Sequence, residues 1–176
     1  MRRVGDRSYE LTLENDLHTA GHTQWYFFAV GGMIAGFTYD FEIVNLEKAD
    51  SLYNYGMLPL IYSTQRYIKV GEGWVRGGSD VCYFKGREER PGNTGKHYYR
   101  LHFGLTPTED GDVCFISHCY PYTHKDLHRD LVRWLDPNHR GRYCTLGRLC
   151  YSLSGIPIDL ITVTDPDSTE ATKTTS

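Results

Sequence analysis

Eight histidines and five cysteines are among the residues of this 176-residue chain that could bind a metal ion or act as nucleophiles. His124 and His128 are four residues apart, a spacing that puts two imidazoles on one helix face and can bind a metal. No general base neighbours the pair, and the helix face is otherwise charged. We therefore interpret the two histidines as part of a solvated helix face.

Cys114, His118 and Cys119 form a second candidate group. Successive side chains of a strand point to opposite faces of the sheet, so His118 and Cys119 would point away from each other. This geometry argues against a shared metal and against a Cys–His nucleophilic dyad. We interpret each of the two cysteines as a buried structural thiol.

Two short motifs are similar to catalytic or phosphate-binding loops but lack their essential residues. The run 152–155 is similar to a nucleophile elbow, yet the glycine required two residues before the serine is absent. The glycine-rich run 31–36 lacks the lysine of a phosphate-binding loop and a following helix. We predict a hairpin turn for the first run and no phosphate site for the second.

Composition narrows the function classes further. The net charge of −3 and the pI of about 6.2 argue against a nucleic-acid binder. No apolar run is long enough to cross a bilayer, and the charged N-terminus has no signal-peptide core. The odd number of cysteines, without a C-x-x-C pair, indicates reduced thiols. We expect a cytoplasmic protein with neither nucleic-acid nor membrane partners.

The elements that must position these residues are predicted to be mainly strands. Fourteen tyrosines and period-two alternation, interrupted by Gly, Pro, Asn and Asp, favour an antiparallel β-sandwich. The segment 24–30 is apolar on both faces, as in a covered central strand, whereas 86–96 is expected to be a polar loop. Phe37, Tyr39, Phe41 and Ile43 are assigned to one buried face. The remaining candidate strands are 8–14, 37–44, 59–63, 66–70, 80–85, 97–105 and 112–119.

The pattern changes near Tyr120. Thr123 is a predicted N-cap with Asp126 three residues later, and the apolar spacing that follows indicates a helix ended by residues 136–138. Two strands at 142–153 and 157–164 would then form a hairpin with a turn at Ser154 and Gly155. The predicted organisation is a sandwich over 1–119, a linker, helix and hairpin over 120–164, and a disordered tail over 165–176.

Several segments together resemble the cytosolic carboxypeptidases, a subfamily of carboxypeptidase A-like metallopeptidases that trim glutamates from tubulin tails. The linker motif is Tyr120, Pro121, Tyr122 and Thr123, which in the family joins the accessory domain to the peptidase domain. The resemblance is strongest to the type-one member. The other matching segments are 22–28, 41–46, 53–63, 73–76, 80–85, 149–155 and 160–164.

The resemblance implies an accessory N-terminal β-sandwich followed by the start of an α/β zinc peptidase domain. The family binds zinc through an H-x-x-E motif and a distant histidine, and uses a late glutamate as general base. None of the eight histidines here is followed three residues later by glutamate. We therefore expect a non-catalytic fragment without a cofactor. The full-length parent would carry zinc and act on tubulin or other glutamate-rich tails, and the rest of its peptidase domain would be this fragment's partner.

Two further hypotheses concern binding. The segment between His124 and Arg148 contains six cationic residues and three aspartates, a local excess of positive charge. Arg140 and Arg142 are candidates for steering acidic tails towards a cleft. A solvated surface with screened charges is an equally good interpretation. The alternative to the carboxypeptidase fragment is a stand-alone binding module, for example one that stacks aromatic rings on sugars. That module needs several aromatic side chains on one exposed face, whereas the alternation places most of them in the core.

Overall fold

The computed structural model describes residues 1–136 and 143–165 of the chain. They divide into two compact units, Met1–Pro121 and a second that begins at Tyr122. No helix among the described residues has the length and apolarity needed to cross a membrane.

The first unit is built mainly of strands, as the alternation predicts. Two helical elements interrupt them: a 3-10 helix at Leu52–Tyr55 and helix α1 at Thr64–Val70. The strands are β1 Arg2–Arg3, β2 Ser8–Leu11, β3 Phe27–Val30, β4 Tyr39–Leu46, β5 Leu60–Ser63, β6 Val75–Arg76, β7 Ser79–Arg90, β8 Asn93–Leu105 and β9 Cys114–Ser117.

These strands form the two sheets of a sandwich. The first sheet has the order β1-β2-β4-β8-β7 and the second has the order β3-β9-β5-β6. All pairs are antiparallel except β2 with β4, which run parallel. Phe28 of the second sheet meets Phe41 of the first with ring centroids 6.1 Å apart, inside one continuous apolar core. The predicted sandwich is confirmed, with one parallel pair added.

Period-two alternation explains how the first sheet fills this core. Tyr39, Phe41 and Ile43 of β4 are buried, and the Phe41 ring lies 5.7 Å from that of Phe103 on β8. Full burial of each such side chain stabilises the fold by roughly 1.5–3 kcal/mol. The prediction that Phe37 lies on the same face is wrong, because this residue precedes the strand and lies exposed under the guanidinium of Arg7.

The outer face of the first sheet is charged, because the residues between these apolar positions point to solvent. Arg100 of β8 lies among three carboxylates on this face. Its Nη2 is 2.6 Å from Glu88, its Nη1 is 3.5 Å from Glu10, and Glu42 also pairs with it.

The prediction of a strand at 66–70 is wrong, because these residues form most of α1. Ser63 Oγ caps the helix by accepting the N–H of Arg66 at 3.1 Å, and Gly71 ends it in the left-handed region with φ 70°. The buried carboxylate of Asp112 accepts the N–H of Gln65 at 3.1 Å. A carboxylate distant in sequence therefore satisfies the helix start.

The loop predicted at 86–96 is also wrong: β7 and β8 continue through it as a long hairpin. Arg90 pairs with Asn93 across a turn at Gly92, where φ is 72°. Its strands have exposed polar side chains on both faces, so burial leaves no period-two signal in the sequence. An ion pair of 2.7 Å from Arg90 to Glu47 fastens the hairpin to the sheet.

The second unit contains helix α2 at His124–Trp134 and a hairpin of β10 Cys144–Tyr151 and β11 Pro157–Val163. Thr123 and Asp126 form the predicted cap as a full capping box. The hairpin turn contains Gly155 in the left-handed region, φ 77°. Residues 137 and 138, predicted to end the helix, and the predicted tail from 166 onward lie outside the described residues.

Candidate functional site

A partly buried polar cluster lies at the end of β9, where the chain leaves the first unit. We call Tyr26, Tyr53, Arg76 and His118 the junction cluster. The hydroxyl of Tyr53 is 2.5 Å from that of Tyr26 and 3.1 Å from Nδ1 of His118. The imidazole lies against both phenol rings, with centroids 5.6 Å and 5.7 Å away. Two tyrosines from distant parts of the chain therefore fix the position of one histidine.

Hydrogen bonds to the backbone hold each residue of the junction cluster in place. Ser51 caps the 3-10 helix that contains Tyr53. The carbonyl of Tyr26 accepts the N–H of His118 at 3.1 Å, extending the β3–β9 ladder by one bond. Arg76 Nη1 donates to the carbonyls of Leu58 and His118, at 2.5 Å and 3.2 Å. The arginine thus binds the backbone immediately before the linker.

Burial sets the protonation states of the cluster. It lowers the pKa of His118, and the nearby charges of Arg76 and Lys48 lower that pKa further. It raises the pKa of Tyr53 to about 12 and that of Tyr26 still higher. At neutral pH the imidazole is uncharged and both phenols keep their protons. One directed chain of hydrogen bonds can therefore run through the three groups.

The hydrogen bonds of the junction cluster hold the backbone in place, and the cluster is poorly suited to proton transfer at neutral pH. A general base works best with a pKa near the operating pH, and the two phenols lie far from it. Among the described residues, no three His, Cys, Asp or Glu side chains are grouped closely enough to hold a metal ion. We assign no catalytic step to the junction cluster.

Cys114 and Cys119, the two cysteines weighed with His118 as a candidate group, differ in burial. Cys114 is buried in the core, where burial and then the carboxylate of Asp112 raise the pKa of its thiol to about 12. A thiol with such a pKa is unreactive, as expected of a structural cysteine. Cys119 is exposed, so the buried-thiol interpretation is wrong for it.

The predicted linker motif connects to α2 rather than to a binding site. Tyr120 and Tyr122 are exposed, and the hydroxyl of Tyr122 donates to Asp130 at 2.8 Å. His124 and His128 are exposed on the same helix, as the solvated-face interpretation expects. Arg140 and Arg142, the candidates for steering acidic tails, lie outside the described residues.

Sequence reasoning missed an aromatic surface on the outside of the second sheet. We call Phe27, Tyr62, Tyr67, Trp74 and Phe115 the outer aromatic face. Phe115 of β9 contacts Phe27 of β3 and Tyr62 of β5, with centroids 6.0 Å and 6.2 Å away. The expectation that most aromatic side chains are buried fails here, since Phe27 and Tyr67 are 49% and 53% exposed. The prediction of a covered central strand at 24–30 is also wrong. Strand β3 is an edge strand of its sheet, and one of its faces carries the exposed ring of Phe27.

A signal for this face was present in the sequence, although it needed the strand register to be read. Tyr62 stands opposite Phe115 in the β5–β9 pair, so both point to the same side. The neighbouring pair in this register, Ile61 and Ile116, points to the opposite side of the sheet, into the core. Only the pairing of β5 with β9 shows that the two aromatic side chains meet.

Comparison with known proteins gives a consistent result along nearly the whole chain. No protein-family model matches the sequence. Cytosolic carboxypeptidase 2 of Danio rerio is 43% identical over 169 residues, which cover 96% of this chain and 23% of the relative. Cytosolic carboxypeptidase 4 of Mus musculus is 37% identical, over 96% of this chain and 16% of the relative. The chain spans less than a quarter of the length of these relatives.

The identities do not favour the type-one member. Cytosolic carboxypeptidase 1 of Homo sapiens is 36% identical over 92% of this chain and 14% of the relative. That value is below the 43% found for the type-two protein of Danio rerio. The relationship therefore extends to several types of the cytosolic carboxypeptidases.

Solved structures of metallo-carboxypeptidases share the fold. The enzyme from Pseudomonas aeruginosa, in complex with (2-guanidinoethylmercapto)succinic acid, has a TM-score of 0.58 and 25% identity, over 96% of this chain and 38% of that chain. The enzyme from Burkholderia cenocepacia has a TM-score of 0.60 and 16% identity, over 94% of this chain and 37% of that chain, and shows the fold alone.

Proposed function

Because this chain is a relative of the cytosolic carboxypeptidases along nearly its whole length, we propose that it is a non-catalytic part of a metallocarboxypeptidase. The first unit would be its accessory sandwich, and the second unit would begin its peptidase domain. The observation that carries the proposal is the 43% identity over 96% of this chain but only 23% of the relative. We call the complete enzyme the parent protein.

The exposed hairpin of the second unit supports this assignment. Leu146, Leu149, Leu160 and Val163 are all at least 44% exposed on its two strands. A two-stranded sheet with so much exposed apolar surface is marginally stable in water unless other elements cover it. An α/β peptidase domain would supply such a cover.

Zinc would belong to the parent protein and not to this chain. The sequence has no H-x-x-E motif, and the described residues hold no group of three metal-binding side chains. The described residues therefore do not fit a zinc site, and no metal-dependent step is assigned to them.

The proposed substrates of the parent protein are polyglutamylated tubulin tails and other glutamate-rich tails, cleaved at the C-terminus in the cytoplasm. Arg140 and Arg142 would steer these acidic tails. Exchanging both for glutamate in the parent protein should weaken tail binding and reduce its salt dependence. Unchanged binding at every salt concentration would remove the steering role.

The first experiment is to read the parent transcript beyond the codon for Ser176. An H-x-x-E motif, followed by a further histidine and glutamate, is expected. The 176-residue chain should then release no glutamate from a polyglutamylated peptide with zinc present. Release of glutamate would contradict its non-catalytic role.

Deleting residues 1–119 from the parent protein tests the accessory role of the sandwich. A soluble and fully active product would contradict that role.

One observation favours a second candidate, the stand-alone binding module. The outer aromatic face places five aromatic side chains on one surface, which that hypothesis requires. A stop codon at or near Ser176 in the transcript would make this module the leading function.

A further inference from the structure

We propose that the outer aromatic face is the surface of the sandwich on which the remaining part of the parent peptidase domain packs. This inference rests on the proposed function and adds which face of the accessory unit makes the contact. The two outer faces of the sandwich differ in kind. The first sheet presents the ion pairs of Arg100, whereas the second presents aromatic rings.

The geometry of the rings resembles the core of a protein interface. Trp74 contacts both Phe27 and Tyr62, with centroids 6.2 Å and 5.5 Å away, and Tyr67 lies 5.4 Å from Tyr62. Aromatic residues are enriched in the buried centre of interfaces and supply much of the binding energy. Tyr67 belongs to α1, in which Ile68 and Val70 are also exposed, at 75% and 71%. A cluster of partly exposed aromatic side chains of this kind marks an interaction site.

The tilt of the rings argues against a sugar as the occupant. Stacking on a sugar needs a flat ring face that is open to solvent. Here Tyr62 is inclined to Trp74 by 46°, to Tyr67 by 36° and to Phe115 by 66°. Tyr62 and the three rings around it therefore do not share one plane. A surface of inclined rings suits the side chains of a folded protein better than the flat face of a sugar.

The charges beside the face argue against a highly acidic partner. Arg66 donates to Glu72 at 2.8 Å, and Lys69 forms an ion pair of 2.8 Å with Glu109. These cations on α1 are already paired, so they offer little attraction to a glutamate tail. An apolar protein surface is the better match to the rings.

The path of the chain explains why the occupant is the parent's own domain. Phe115 lies at the centre of the face on β9, and β9 ends at Ser117. The second unit begins at Tyr122, so only a few residues tether it to the strand that carries the face. A short tether holds linked surfaces at an effective concentration on the order of millimolar. Most of the length of the related enzymes lies outside the matched segment, which leaves ample chain to cover the face.

Hydroxyl-radical footprinting of the parent protein and of the 176-residue chain tests the inference. Phe27 and Trp74 should be oxidised more slowly in the parent protein, with a drop on the order of five-fold when the rings enter an interface core. Phe84, which is 39% exposed on the outer face of the first sheet, serves as the matched reference and should change little. Equal oxidation of Phe27 and Trp74 in the two proteins would overturn the inference.

The outcomes separate the inference from the proposed function. A transcript without a downstream peptidase domain overturns the proposed function and this inference with it. A complete enzyme with unprotected rings overturns the inference alone. Protection that appears in the 176-residue chain and rises with its concentration identifies a second copy as the occupant and also overturns the inference.

A pair of substitutions gives an independent readout. Phe27→Ser in the parent protein should lower its melting temperature, whereas Phe84→Ser should have little effect. In the 176-residue chain the two variants should melt alike, because both side chains are partly exposed there. Equal effects of Phe27→Ser in the parent protein and in the 176-residue chain would contradict docking on this face.

Discussion

The imidazole of His118 lies against the rings of Tyr26 and Tyr53 and shares a hydrogen bond of 3.1 Å with the Tyr53 hydroxyl. Burial, and then the positive charges of Arg76 and Lys48, disfavour its protonated form. A histidine in such a position supports the fold in its neutral state.

Replacing His118 with glutamine should flatten the dependence of stability on pH. The folded pKa lies below the ordinary value of 6.5, so the unfolded chain takes up the proton first as pH falls. The contribution of this group to the free energy of unfolding is complete above 6.5 and declines as pH is lowered towards the folded pKa. Urea denaturation at several pH values would measure it, with His124→Gln as the exposed control. An unchanged slope in His118→Gln would contradict this account.

Asp112 is a second residue whose surroundings decide its state. Burial opposes its ionisation, but hydrogen bonds from Ser63, the N–H of Gln65 and Thr64 hold the pKa of its carboxyl below the usual range. Its oxygens are 2.5 Å from Ser63 Oγ and 2.9 Å from Thr64 Oγ1. The carboxylate joins the start of α1 to the strand β9.

Asp112→Ala should therefore reduce the free energy of unfolding by about 2–4 kcal/mol, because partly buried donors lose a charged acceptor. Asp110→Ala is the control: its carboxylate is exposed and accepts one backbone N–H, from Ala35 at 2.8 Å. Chemical denaturation of both variants would measure the difference. Similar losses in the two variants would refute a special role for Asp112.

At the scale of elements, capping decides where the two helices begin. Helix α2 starts with a reciprocal pair: Asp126 N–H donates to Thr123 Oγ1 at 3.2 Å, and Thr123 N–H donates to Asp126 at 2.9 Å. This cap is local in sequence, and it was predicted. The start of α1 depends on Asp112, which is 47 residues from Gln65.

Thr123→Ala should cost about 1 kcal/mol of helix stability, because the backbone N–H of Asp126 loses its acceptor, Thr123 Oγ1. The expected signs are weaker helical circular dichroism at 222 nm and faster amide exchange at the start of α2. Thr108→Ala, an exposed position outside the helices, is the control. Equal exchange rates in the variant and the unmodified chain would show that the cap contributes nothing.

Strands β7 and β8 approach each other closely at Gly104, and a substitution there gives a second prediction for these elements. A Cβ at Gly104 would meet Ser79 Oγ at 2.5 Å and Thr38 Cγ2 at 3.0 Å. Gly104→Ala should therefore lower the free energy of unfolding by about 1–3 kcal/mol, as overpacking does. Gly73→Ala has nothing within 4 Å and should be neutral. Thermal melts would compare them, and an unaffected Gly104→Ala would show that the sheet yields at this point.

At the scale of the whole molecule, the apolar core belongs to the first unit. Every member of the buried core cluster lies between Leu11 and Ile116. Among the described residues of the second unit, Leu131 is the only buried hydrophobic side chain. The two units therefore differ in their capacity to fold alone.

Residues 1–121 expressed alone should unfold cooperatively in urea, whereas residues 122–176 alone should show no cooperative transition. One helix and one hairpin do not bury enough apolar surface to offset their conformational entropy. Circular dichroism and the dispersion of amide proton shifts would distinguish the two states. A cooperative transition in 122–176 would contradict the proposal that it is the start of a larger domain.

The sequence alone determined the sandwich, the capped helix α2 and the final hairpin. Each depends on local signals: alternation at period two, two capping residues three positions apart, or a glycine at a turn. Tyr39, Phe41 and Ile43 lie in the core because their spacing matches the pleat of a strand. The linker motif likewise indicated the family on residues read directly from the chain.

Helix α1, the long β7–β8 hairpin, the junction cluster and the outer aromatic face depend on tertiary contacts. These features join residues that are far apart in the chain: Tyr53 and His118 are 65 residues apart, and Ser63 and Asp112 are 49 apart. Whether an aromatic side chain is buried or exposed depends on which strand lies beside it and on what covers that sheet face. Local pattern carries neither fact, because burial is a property of the packed molecule.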